Sequence, residues 1–117
     1  MGIFLYAKED LAQEDGIQKL LDFHVEDLQS KRQNFKLMEP QTTIETADKT
    51  ITQVVYSGEK SGGAFYYQFA AIEFKDGNTT IPITLAVSFP SAWDNSKATL
   101  TKIHNSFTSL LSSPQKP

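Results

Sequence analysis

Between Gly62 and Pro90 the chain carries two apolar runs separated by a turn signal, and few folds accommodate such a stretch. The first run, Ala64 to Phe74 (AFYYQFAAIEF), is aromatic or aliphatic at both parities. The second alternates: Ile81, Ile83, Leu85, Val87 and Phe89 fall on one side, and Thr80, Pro82, Thr84, Ala86 and Ser88 on the other. Period two marks a half-buried strand, because successive side chains of an extended chain point to opposite faces. Asp76-Gly77 lies between the runs and supplies the positive backbone dihedrals of a tight reversal. The two runs are therefore expected to form an antiparallel hairpin, and the remaining segments to pair with it or to cover its apolar face.

Ile3 to Lys8 reads as a short strand, apolar on both sides, which points to a central position or to a cover on each face. Asp10 and Gln13 have the spacing of a capping box ahead of a helix from Glu14 to Lys31. Ile17, Leu20, Leu21, His24 and Leu28 make its apolar stripe. Glu14 and Asp15 complement the positive end of the helix dipole, Lys31 and Arg32 the negative end. Phe35 to Glu39 is expected as a brief strand broken at Pro40. Thr42 to Ala47 and Thr50 to Tyr56 follow as strands joined around Asp48-Lys49. Ser57 to Gly63 (SGEKSGG) reads as a flexible, exposed connection; a phosphate-cradling loop would open a helix, and this one opens a strand. Pro82 cannot donate to a ladder, which suggests a strand start, an edge or a bulge.

Ser91-Ala92-Trp93-Asp94 has the form of a second capping box, and the helix after it is expected to reach about Leu111. Its stripe is Leu100, Ile103, Phe107, Leu110 and Leu111. The order β-α-β-β-β-β-α indicates an α+β fold, an antiparallel β-sheet with two amphipathic helices packed on it. One domain spans 1–113, and 114–117 read as a disordered tail.

Composition narrows function mainly by exclusion. At 117 residues the chain can bury roughly two-thirds of its unfolded surface, enough for one core. A net charge of −3, with no basic cluster beyond Lys31-Arg32, argues against nucleic acid as a partner. The absence of cysteine rules out disulfides, thiolate zinc sites and cysteine nucleophiles. No apolar stretch approaches the roughly 18–20 residues that span a bilayer. Met1-Gly2 runs straight into a strand-like segment, as in a chain whose natural beginning lies upstream, so membrane contact is expected only through an N-terminal anchor missing from this chain. There is no G-x-S-x-G turn and no triad pattern, and no catalytic, cofactor or metal-binding residue is assigned. The expectation is a protein that is not an enzyme.

Candidate binding residues come from the aromatic strand and the histidines. Tyr66, Tyr67 and Trp93 fit a groove-lining surface, although such a strand is more often covered on both sides. His24 and His104 lie in or beside the stripes of the two helices. They could pair as a metal site or pH switch, or sit semi-buried against a carbonyl or hydroxyl; the pairing fails if the helices take opposite faces. Glu14, Asp15, Asp22, Glu26 and Asp27 could serve a basic partner or a weak cation site, but their spacing matches no dedicated calcium loop and favours a solvated helix face. If upstream strands are missing, Ile3 to Lys8 is left as an unpaired edge that invites pairing between two copies, a homodimer through an edge strand.

The layout resembles the PsbP-like and DcrB-like families of exported bacterial, archaeal and plastid proteins, and the related fold of a Ran-binding nuclear import factor. The residues that carry the likeness are Leu20 to His24 (Leu-Leu-x-x-His), the paired strands FYYQFAAIEF and IPITLAVSF, and Ile103 to Phe107 closing the second helix. Those families usually carry upstream strands with an aromatic-Pro-x-x-Trp segment, which this sequence lacks. The resemblance implies an antiparallel sheet between helices, a non-enzymatic binding or accessory role with another protein as partner, and an extracytoplasmic setting on a lipid anchor. The alternative is an intracellular interaction module or chaperone.

Overall fold

The computed structural model describes residues 2–7, 16–75 and 80–106. In chain order the elements are β1 (Gly2–Ala7), α1 (Gly16–Gln29), β2 (Gln33–Glu45), β3 (Lys49–Lys60), β4 (Gly63–Phe74), β5 (Thr80–Ser88), a 3-10 turn at Pro90–Ala92 and α2 (Trp93–Ser106). The five strands form one sheet in the order β1-β5-β4-β3-β2, and every pair is antiparallel. The expected α+β architecture is the observed one.

The hairpin at the centre pairs Tyr66 with Ser88 and runs to Ala71 opposite Ile83. Its reversal at residues 76–79 lies outside the described residues, as do the first capping box, the helix residues beyond 106 and the tail. The β4–β5 ladder stops one residue short of Pro82, so the missing N–H of that proline interrupts nothing there.

Neighbouring residues along each strand feed two different cores. Val54, Tyr67, Phe69, Ala71, Ile81 and Ile83 pack under Leu21, Val25 and Leu28 of α1. One residue along, Val55 and Ala86 pack under Trp93 and Leu100 of α2. The two helices therefore lie on opposite faces, and the sheet is the middle of three layers. Both parities of β4 are buried, which answers why both are apolar. The small face Thr84-Ala86-Ser88 lets α2 approach closely: Ser88 Oγ donates to Ser96 Oγ at 2.8 Å.

Several local expectations need correction. Phe35–Glu39 and Thr42–Ala47 are one strand, β2, not two. The register passes from Glu39↔Val55 to Thr42↔Gln53, so an extra residue beside Pro40 is absorbed as a bulge on an edge strand, where a missing N–H is tolerated. Ser57–Lys60 is not a loose connection but the end of β3, which closes on β4 by a two-residue turn. Ser61 (φ 54°) and Gly62 (φ 79°) both take the left-handed conformation that the hairpin twist favours. Gly58, expected in a flexible loop, is buried, and a Cβ there would come within 3.0 Å of Phe35 Cδ1. Lys49 begins β3 instead of sitting in the preceding turn, which Thr46 closes by donating its N–H to the Lys49 carbonyl at 2.9 Å. The described part of the first helix runs Gly16–Gln29, so its C-terminal end falls two residues short of Lys31. Finally, β1 is not central: among the described residues it pairs with β5 alone and lies at a margin of the sheet.

The two margins differ in kind. β2 carries Lys36, Glu39, Pro40 and Glu45 and three register shifts, features that discourage further pairing. β1 has six unbroken pairs to β5, no charge, no proline and no bulge. Its Ile3, Phe4 and Leu5 are 52%, 42% and 69% exposed.

Candidate functional site

The five residues singled out from sequence do not form one surface. Tyr67 and His24 belong to the α1 side; Tyr66, Trp93 and His104 belong to the α2 side. Tyr67 is buried, its hydroxyl accepting from Arg32 Nε at 2.8 Å and its ring 5.4 Å from the same guanidinium. Trp93 is also buried, edge-on to Tyr66 at 5.7 Å, and its Nε1 donates to Glu39 Oε2 at 3.0 Å. Lys97 Nζ donates to the other oxygen of Glu39 at 3.0 Å. Burial pushes the Glu39 carboxyl up, but the Trp93 and Lys97 donors together outweigh it and hold the group below its ordinary range. This contact clasps α2 to the far margin of the sheet, so Trp93 acts as packing and tether.

The two histidines are separated by the sheet, so the paired site fails. His104 is 1% exposed and shares a 2.9 Å hydrogen bond with Thr84 Oγ1; burial holds its pKa below the ordinary value. His24 is half-buried and shares a 2.8 Å hydrogen bond with the Tyr6 hydroxyl. Burial lowers its pKa too, partly offset by the Asp27 carboxylate. Among the described residues no group of three or more His, Cys, Asp or Glu side chains is placed to hold a metal. Asp22, Glu26 and Asp27 are exposed; Asp22 accepts from Gln18 and Asp27 pairs with Lys31, the arrangement of a solvated helix face.

What His24 does join is an aromatic cluster at the β1 margin. Phe4 lies 4.6 Å from its ring, Phe23 5.4 Å and Tyr6 5.8 Å, centroid to centroid. Phe23 is 62% exposed, so the cluster ties β1 to α1 and still presents apolar surface. On the other face of the same strand stand Ile3 and Leu5. Beyond the end of β1, a groove of about 330 Å³ runs between Ala86-Val87 of β5 and Ser96, Thr99 and Leu100 of α2. Its lining holds hydroxyls and one amide but no carboxylate or imidazole.

The sequence reading placed the working surface on the aromatic strand region with Trp93 and the first helix. Among the described residues the exposed large apolar side chains are Ile3, Phe4 and Leu5 on β1, Phe23 on α1, Leu37, Met38 and Ile44 on β2, and Val87 and Phe89 at the end of β5; of these strands only β1 combines them with an absence of charge and proline.

No family model matches this chain, and no curated protein matches it. Among solved structures its fold is similar to the crystal structure of PA94 from Pseudomonas aeruginosa, a protein of unknown function, with a TM-score of 0.62 at 13% identity over 97% of this chain and 85% of that one. That likeness establishes the shared α+β fold.

Proposed function

We propose that this domain is a non-enzymatic accessory module that binds protein, taking an extended segment of its partner as an added strand along β1. The observation that carries the reading is the open margin itself. Six uncharged residues in unbroken register leave the outward N–H and C=O groups of β1 without a strand partner among the described residues. An added strand would satisfy those groups and cover Ile3, Phe4 and Leu5 at once, which is how sheet edges commonly recognise peptides. The accessory role and a setting outside the cytoplasm rest on the resemblance to PsbP-like and DcrB-like proteins. Fractionation of cells expressing the natural gene separates that setting from the intracellular alternative.

The binding mode is tested by selecting peptides on the isotope-labelled chain from a displayed random library and mapping a selected peptide by amide shifts. Selected sequences are expected to alternate apolar residues, to perturb the amides of Gly2–Ala7, and to bind Leu5→Lys about tenfold less tightly or worse. Peptides that map to β2 or to the α2 groove, or a selection that yields none, would overturn the reading.

A further inference from the structure

We propose that the strand added at β1 is β1 of a second copy of this chain, giving a two-fold dimer with one continuous ten-stranded sheet. The inference rests on the strand-addition reading above and names its partner.

Selectivity points to a second copy. An edge chooses among extended partners by its charges, its hydrogen-bonding side chains and its pattern of bulk. β1 has no charged side chain, and its one hydroxyl, Tyr6, is engaged by His24 at 2.8 Å. The margin therefore asks only for an uncharged strand, apolar at both parities, and its own sequence meets that requirement.

Two-fold symmetry also fits this strand. A two-fold axis perpendicular to the sheet keeps each face continuous, so a residue must oppose one of its own parity. An axis through Phe4 sets Phe4 against Phe4 on the α1 face. On the α2 face it sets Ile3 against the second copy's Leu5, and Leu5 against the second copy's Ile3. Gly2, without a side chain, then opposes Tyr6 and leaves room for it. Ile3, Phe4 and Leu5, now 52%, 42% and 69% exposed, are all covered in this register, and no like charges meet. The opposite margin does not compete, because Pro40 and the register shifts of β2 interrupt any regular ladder. Six residues a side is a small contact, at the low end of specific interfaces, so the dimer is expected to exchange with monomer.

Sedimentation velocity on the full chain over a concentration series tests this. The expected result is a monomer–dimer equilibrium that Leu5→Lys weakens by about tenfold or more. Leu37→Lys, at a 53% exposed position on the β2 margin, is expected to leave it unchanged. Amide exchange of the unsubstituted chain gives a readout independent of any variant: protection of Gly2–Ala7 should rise with concentration. A chain monomeric at every concentration, or a dimer weakened by Leu37→Lys and indifferent to Leu5→Lys, overturns the second-copy assignment. If the chain is monomeric while a selected peptide still adds at β1, only the second copy is lost and strand addition stands. If neither a copy nor a peptide adds there, both proposals fall.

Discussion

Individual side chains in this protein are settled by which face of the sheet they meet. His24 and His104 look equivalent in the sequence, each on the stripe of an amphipathic helix. In the structure they occupy unrelated environments, one among Phe4, Tyr6 and Phe23, the other against Thr84. They share one consequence. Burial disfavours the imidazolium, so each binds its proton less readily in the folded chain than at the ordinary value of 6.5. Above pH 6.5 both states hold neutral imidazoles and their stability is fully present. As the pH falls from 6.5 through the lower folded values, the unfolded chain takes up protons that the native one resists, and stability drops. Urea midpoints are therefore expected to fall between neutral and mildly acidic pH, and His104→Gln to flatten that fall. A midpoint level across the window would show that neither histidine is desolvated as described.

At the scale of elements, the edge strands carry the lesson. Pro40 reads locally as a strand breaker, yet β2 continues past it because its outer side has no ladder to lose and a bulge absorbs the extra residue. β2 is in turn held to α2 through Glu39. Removing that carboxylate leaves the buried Trp93 N–H without an acceptor, whereas removing Lys97 breaks only an ion pair whose side chains are 46% and 38% exposed. Glu39→Ala is expected to cost about 1–3 kcal/mol. Lys97→Met is expected to cost less than about 1 kcal/mol. Chemical denaturation of the two variants checks the ordering, and equal costs would mean that the ion pair, not the indole, fastens the helix.

Across the whole molecule, one sheet serves cores on both of its faces, and alternate residues of β3 and β4 bind them together. Unfolding is therefore expected to be a single transition even when only one layer is weakened. Leu21→Ala removes a side chain 1% exposed under α1 and is expected to cost about 2–5 kcal/mol. Trp93 reports the opposite layer, so its fluorescence and the far-ultraviolet dichroism should shift to the same lower midpoint. Separate midpoints would show the layers unfolding independently.

Periodicity and turn chemistry by themselves determined the element types, the antiparallel central hairpin and the α+β class, because those follow from side-chain alternation and backbone preference within a few residues. Residues 64–74, apolar at both parities, left open whether one face lines a groove, and the structure covers both. Only tertiary structure decided that the helices take opposite faces, that Pro40 sits at a margin able to absorb it, that Gly58 is wedged among aromatic rings, and that Ile3, Phe4 and Leu5 stand exposed. Each of those depends on which distant segment comes to lie alongside. An edge strand and a central one can be spelled alike, and what separates them is a neighbour supplied by another part of the chain or by another molecule.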